Sequence, residues 1–412
     1  MNRRKLIKNL ALMPLAGNAF TKTALSNVDL LEKSSITSLH ESSGIHYPKF
    51  VMDGHIHVMS RQLLEGLDIG QRYSDGMVDL PRIKDGKINA MFFSVYTPEV
   101  YYPRHFEVKN TFRVIELALE QIQKNSDIIE LATNATEIVD INKRNKIAAF
   151  LDLEGSYDME GDLYLLRALY RLGLRSMQLT AHNESNSFID ACSGERLWNG
   201  INNKGREIIA EMNDLGMVIN VAHASSEAIV QIAEASRQPV AYTHGGFRGM
   251  IDIKRNISDE AAKAVASRGG VIALQFGHYF NYPKYYNWET SKPNALALIE
   301  KPKDVKSIEE ADKEVAKDLP FVSHQVIPEE YKMSVHDFVE AIDYGVQLVG
   351  EDHVALGSDF DGGLSLPKEM KDASDYPQMF IALKDKGYSQ SRIDKIMGLN
   401  WLRLIKKVTE GK

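Results

Sequence analysis

The chain has 412 residues, 44% hydrophobic and 25% charged, with 28 Gly and 13 Pro; these fractions exclude disordered, collagenous and coiled-coil classes and leave a folded soluble protein. A formal net charge of -7 and a pI near 6.0 show no basic bias, so no nucleic-acid partner is expected and a small-molecule partner fits better. The single cysteine, Cys192, excludes an internal disulfide framework and any cysteine-rich zinc site, so a metal must be held by His, Asp and Glu.

Residues 1–24 read as a signal peptide. Arg3, Arg4, Lys5 and Lys8 precede a short apolar stretch at 10–20 that ends in small residues, with cleavage expected near Ala19 or Ala24. The adjacent arginines resemble a twin-arginine export signal, and an ordinary secretory signal is the alternative. Either way the expectation is an exported, periplasmic protein. The apolar stretch is too short to span a bilayer, so no transmembrane span is expected. Residues 25–48, rich in Ser, Thr and Glu, read as a polar leader before the folded part.

From residue 49 to about 408, short apolar or β-branched runs alternate with longer helical patterns, the signature of a parallel sheet covered by helices. Eight strands are expected, at 50–53, 90–96, 148–153, 176–180, 217–222, 240–243, 270–276 and 354–358, with helices at 108–125, 162–172, 203–215, 227–236, 259–267 and 335–349. The economical reading is an α/β fold of the (β/α)₈ barrel type. Residues 277–333, rich in Tyr, Pro, Lys and Glu, interrupt the rhythm after the seventh strand and read as an insertion on the catalytic rim. It could serve as a lid, a solvated excursion or a contact within a homodimer, and the mixed-charge helical piece at 304–319 favours the last two. Two closing helices are expected at 375–387 and 389–408, and no internal repeat is evident.

The chemistry gathers at strand ends. The first strand ends in Asp53-Gly54-His55-Ile56-His57, and a period of two puts both imidazoles on one side, as a pair of metal ligands requires. The third ends in Glu154, the fifth at His223, the sixth at His244, and Asp359 follows the eighth; His182 lies just past the fourth. In a barrel all these strand ends converge on one face, and a cation is the simplest compensation for such a crowd of imidazoles and carboxylates. Imidazole and carboxylate without thiolate suit zinc or a similar divalent ion. Four histidines (His55, His57, His223, His244) and two carboxylates exceed one tetrahedral shell, so two divalent metal ions sharing Glu154 are expected. Cys192 is expected to be a bystander.

Over about 49–408 the chain resembles the membrane (renal) dipeptidase family of zinc peptidases within the amidohydrolase superfamily. The resemblance is carried by Asp53 to His57, Leu153-Glu154-Gly155, the stretch 166–175, Leu179-Thr180-Ala181-His182, Ala222-His223-Ala224-Ser225, Pro239 to His244, Arg255-Asn256-Ile257-Ser258-Asp259, Gly357-Ser358-Asp359-Phe360-Asp361-Gly362 and Gly398-Leu399-Asn400-Trp401-Leu402-Arg403, all in the family's order. It implies a binuclear zinc dipeptidase with dipeptide substrates, in which His55, His57 and Glu154 hold one metal and Glu154, His223 and His244 the other. Asp359 is then the catalytic acid beside the metal-bound water, His182 a catalytic and substrate-polarising histidine, and Arg255 the substrate-binding clamp for the dipeptide carboxylate. The implied reaction is attack on the peptide carbonyl by a hydroxide bridging two metals, with Asp359 passing the proton to the leaving amine. This chain departs from the family at His57, where His-x-Asp is common, and by what reads as an extra residue before His182. A neutral imidazole at 57 leaves the site one unit more positive than an aspartate would, unless a carboxylate such as Asp53 supports that ring. The alternatives are another amidohydrolase reaction on the same site (lactam, cyclic amide or ester hydrolysis) and an exported metal-binding protein without turnover.

Overall fold

The expected strands are all present in the computed structural model, which describes residues 46–59, 66–97, 102, 104–156, 161–180, 182–292, 305–318 and 326–411. The expected signal peptide and most of the polar leader lie outside the described residues. In chain order the strands are β1 (Met52–Ile56), β2 (Ala90–Tyr96), β3 (Ile129–Leu131), β4 (Ile147–Glu154), β5 (Ser176–Gln178), β6 (Val218–Asn220), β7 (Ala241–Tyr242), β8 (Val271–Leu274) and β9 (Val354–Leu356). All pairings are parallel, and the order β1-β2-β4-β5-β6-β7-β8-β9 is the eight-stranded walk of the barrel.

Closure between β9 and β1 is brief. A single bridge joins Ile56 to Phe360, with Asp359 N donating to His55 O at 2.9 Å and His57 N donating to Phe360 O at 3.1 Å. Asp53 completes the seam with its side chain: its carboxylate accepts from Ser358 N at 3.0 and 3.1 Å and from His55 N at 2.9 Å. The residues that the seam joins are therefore the same ones that carry the chemistry.

The helices over the barrel follow their local sequence. They include α1 (Leu80–Asp85), α2 (Arg104–Lys124), α3 (Ala135–Lys143), α4 (Leu163–Arg171), α5 (Asn203–Leu215), α6 (Ser226–Ala235) and α7 (Asp259–Ser267). Most open on an Asp, Asn or Ser whose side chain accepts from an amide of the first turn, as Asn202 does from Gly205 N and Ser225 from Ala228 N. Helix α5 stops at Gly216, whose φ of 76° is the left-handed conformation that glycine adopts at no steric cost.

Side chains two apart on a strand share a side, and this layers the barrel interior. On β4 these are Phe150, Asp152 and Glu154, level with Phe92, Ser94 and Tyr96 of the paired β2. Phe92 packs on Phe150 with ring centroids 5.3 Å apart and on Trp401 at 4.8 Å, forming an apolar floor. Trp401 donates to Leu356 O at 3.0 Å, and a Cβ on Gly54 would come within 2.3 Å of its ring, so residue 54 must be glycine for the ring to seat. Above the floor the interior turns polar, ending at Glu154.

Two features differ from the expected pattern. Strand β3 pairs only with β4, outside the barrel walk, and its three residues include Glu130, too short and too mixed to register as a strand in sequence. The described residues of the insertion also form helices. It holds α8 (His278–Asn281), α9 (Pro283–Thr290) and α10 (Ile308–Asp318), and the last is docked on α2. Asp312 accepts from Tyr102 Oη at 2.5 Å and from Arg113 Nη2 at 2.7 and 2.9 Å, over a small apolar cluster of Tyr102, Ile308, Ala311 and Val315. After α11 (Val335–Val349) and β9, the first expected closing helix is α12 (Pro377–Asp385), and the second is divided into α13 (Gln390–Asp394) and α14 (Asn400–Glu410) by a π-helical turn at Lys395–Leu399. No described helix is long and apolar enough to cross a membrane.

Candidate metal centre

Glu154, at the end of β4, is buried, and its two carboxylate oxygens face different partners. Oε2 lies 3.3 Å from Nε2 of both His55 and His57, whereas Oε1 lies 3.3 Å from Nε2 of His223, 3.5 Å from that of His244 and 3.6 Å from that of His182. Asp359 Oδ1 is 3.1 Å from His57 Nε2 and 3.8 Å from His55 Nε2. Every residue singled out in sequence thus reaches one site, with Arg255 at its edge. Three of them, His182, His223 and Asp359, have φ of 52°, 63° and 63°. Such left-handed backbone is uncommon outside glycine, and here it falls in the turns just past the strand ends.

The donor set fits two divalent ions. The Nε2 atoms of His55 and His57 approach to 3.0 Å and those of His223 and His244 to 3.1 Å, and two imidazole lone pairs are brought that close only over a shared proton or a cation. Glu154 Oε2 is buried against Nε2 of His55 and of His57, each 3.3 Å away. Three groupings could each hold an ion: His55, Glu154 and His244; His55, His57 and Asp359; and Glu154, His182 and His223. All ligand atoms are nitrogen or oxygen, the chemistry of zinc and similar ions.

Charge is distributed unevenly between the two halves. Burial pulls the His55 imidazole down, but the Glu154 charge, the Asp152 and Glu154 carboxylates beside its two ring nitrogens and the Asp359 charge outweigh it and carry His55 up to about 10. On the other side, burial together with the His55 and Arg255 charges pushes His244 down to about 3, and burial with Arg255 and His182 holds His223 well below the ordinary value. Burial acts to raise Glu154 and Asp359, but the surrounding histidines overcome it and keep both carboxyls below their usual range. The carboxylates therefore stay ionised at neutral pH.

Around this shell lie residues that sequence reasoning did not single out. Asn183 Oδ1 is 3.0 Å from His223 Nδ1, Thr243 Oγ1 is 3.1 Å from His244 Nδ1, and the buried Asp152, 3.7 Å from His55 Nδ1, is held by Asn220 Nδ2 at 3.3 and 3.4 Å. Asp53 does not support either ring of the first pair, because its carboxylate is used at the barrel seam; His57 Nδ1 is buried with no hydrogen-bond partner. Cys192 is buried beside the site, and its amide donates to His223 O at 2.7 Å. Arg255 reaches in from the loop before α7. Its Nη1 donates to Tyr242 Oη at 2.9 Å, and its Nη2 donates to His244 O at 3.1 Å and to His223 Nε2 at 2.9 Å.

Comparison with known proteins agrees with this geometry. Residues 40–412 match the model of membrane dipeptidase, peptidase family M19. The chain is 28% identical to dipeptidase tcpJ of Claviceps purpurea over 346 residues, covering 81% of this chain and 70% of that protein. It is 27% identical to dipeptidase aclJ of Aspergillus oryzae over 338 residues, covering 80% and 69%. Among solved structures, the fold is shared with the probable dipeptidase PvdM of Pseudomonas aeruginosa at a TM-score of 0.71 and 19% identity, over 100% of both chains. It is shared also with a metallopeptidase of Rhodobacter sphaeroides bound to a phosphinate mimic of the dipeptide L-Ala-D-Ala, at a TM-score of 0.69 and 19% identity, over 87% of this chain and 99% of that one.

Proposed function

The chain belongs to the membrane dipeptidase family of metal-dependent hydrolases, and on that premise we propose that it is an exported dipeptidase whose substrates are held by Arg255 and cleaved over the Glu154 centre. The observation that carries this reading is the division of the Glu154 carboxylate, one oxygen toward His55 and His57 and the other toward His223 and His244. Two divalent ions, zinc or similar, held by these five residues would supply a hydroxide nucleophile at neutral pH and polarise the scissile carbonyl.

The chain's own groups do the rest. Asp359, ionised and 3.1 Å from His57 Nε2, accepts the proton of the attacking water and passes it to the leaving amine. His182, on the far side of Glu154 from His57, donates from Nε2 to the oxygen that gains charge. The Arg255 guanidinium offers a planar pair of donors to the substrate carboxylate, its orientation set by Tyr242 Oη and the His244 carbonyl.

The purified protein should cleave dipeptides, lose that activity to a chelator and regain it with zinc, and cleave the matching C-terminal amides poorly. Equal cleavage of dipeptides and amides would move the reading to another amidohydrolase reaction, and metal binding with no turnover would reduce it to a metal-binding protein. Export is supported by the basic and apolar pattern of residues 1–24. Mass spectrometry of the mature protein from its host should show loss of about the first twenty residues; an intact Met1 would contradict it.

A further inference from the structure

We propose that Asn183 is a positioning residue that imposes opposite tautomers on two neighbouring imidazoles, making His223 a lone-pair donor and His182 a proton donor. The roles of the two rings rest on the dipeptidase reading above, while the tautomers themselves rest on hydrogen bonds alone. A side-chain amide has one end that only accepts and one that only donates. Asn183 Oδ1 lies 3.0 Å from His223 Nδ1, and its Nδ2 lies 3.2 Å from His182 Nδ1. The acceptor end therefore requires a proton on Nδ1 of His223, and the donor end requires a bare Nδ1 on His182.

A second contact fixes which way round the amide stands. Arg255 Nη2, which can only donate, is 2.9 Å from His223 Nε2, nearer than the acceptor Glu154 Oε1 at 3.3 Å; the shorter contact puts the lone pair on this nitrogen and the proton on Nδ1, where Asn183 Oδ1 accepts it. The donor end then faces His182 and leaves the proton of that ring on Nε2, the nitrogen 3.6 Å from Glu154 Oε1. The two ring centroids are only 4.1 Å apart, yet one imidazole presents a lone pair to the site and the other an N–H. Both residues sit on left-handed backbone, so strand geometry does not orient them. Thr243, by contrast, meets His244 Nδ1 with a hydroxyl, which serves either tautomer.

The test compares Asn183→Asp and Asn183→Ala with the unmutated full-length protein, using zinc affinity by chelator competition, kcat and KM on a dipeptide, and nitrogen-15 spectra of labelled histidines. A carboxylate still accepts from His223 but no longer donates to His182. Asn183→Asp should therefore keep zinc affinity within about threefold and KM nearly unchanged, while kcat falls about a hundred- to a thousandfold, the cost of one oxyanion donor. Its spectrum should show the His182 proton moved to Nδ1. Asn183→Ala should weaken zinc binding about ten- to a hundredfold, the usual effect of removing the group behind a metal-ligating histidine. Wild-type kcat in Asn183→Asp, wild-type zinc affinity in Asn183→Ala, or a His182 proton on Nδ1 in the unmutated zinc-free protein would each overturn the proposal. Absence of dipeptide cleavage by the unmutated protein would overturn the dipeptidase reading instead, and the zinc-free spectrum would still decide the tautomers.

Discussion

Arg255 Nη2 stands 2.9 Å from Nε2 of His223, on the same lone pair that a metal ion at this half of the centre would use. The guanidinium and an ion therefore compete for one nitrogen, and the positive charge of Arg255 opposes a second cation nearby. Removing it should separate two effects that usually travel together. Arg255→Ala should bind zinc at the His223 and His244 half about tenfold more tightly, since one hydrogen bond to a charged group is worth about 1.5–3 kcal/mol before desolvation is offset. At the same time KM for dipeptides should rise at least tenfold or so, because the lost contact is to a ground-state carboxylate. Zinc titration and steady-state kinetics on the same preparation check both; weaker zinc binding together with an unchanged KM would reject the assignment.

The pH dependence of metal uptake should differ between the two halves. His55 is carried up to about 10 in the metal-free protein, so at neutral pH it is protonated and must release that proton to ligate. Affinity at the His55 and His57 half should therefore rise about tenfold per pH unit as pH increases toward 10. His244, held down to about 3, and His223, also lowered, are neutral at pH 7, so affinity at their half should be flat from pH 6 to 8. Calorimetric titration in buffers of different ionisation enthalpy should count about one more proton released on filling the first half than on filling the second. Equal pH dependence at both halves would contradict the charge distribution.

The seam between β9 and β1 should be the stability hinge of the barrel. Asp53→Ala leaves the buried amides of His55 and Ser358 without their acceptor, and an unsatisfied buried donor costs about 1–3 kcal/mol, so the pair should cost about 2–6 kcal/mol in denaturant unfolding. The sign of the pH effect follows from the direction of the shift. Burial, only partly offset by its hydrogen bonds, raises the Asp53 carboxyl from 3.8 to about 6, so the folded state binds this proton more tightly than the unfolded chain. That contribution is fully present below about pH 4 and is lost as pH rises through 6. Metal-free wild-type protein should thus lose stability between pH 4 and 6 relative to Asp53→Asn, and parallel curves for the two would reject the shift.

Much of the site was legible because its ligands sit at the ends of strands, where a short apolar run stops at a histidine or acid. His55, His57, Glu154, His223, His244 and Asp359 were readable for that reason, and barrel topology alone implies that they meet. The rest depends on contacts across the fold. Asn183 is 40 residues from the His223 ring it holds, and Asp152 is 68 from Asn220, and neither polar residue stands out in its own stretch of sequence. Asp53, adjacent to the His-x-His pair, suggested support for those rings, but parallel closure of the barrel left Ser358 N in need of an acceptor and claimed the carboxylate. Likewise the mixed charge of α10 suggested solvation, whereas Asp312 pairs with Arg113 on another helix.

The most direct test of the account is the number of metal ions bound per chain by the purified protein and by Glu154→Gln. An amide offers one oxygen and no charge in place of the carboxylate that faces both histidine pairs. Metal analysis should find two ions per chain in the unmutated protein and at most one in folded Glu154→Gln, whose dipeptide hydrolysis should fall to background. Folded Glu154→Gln with two ions and normal turnover would contradict the shared-ligand account.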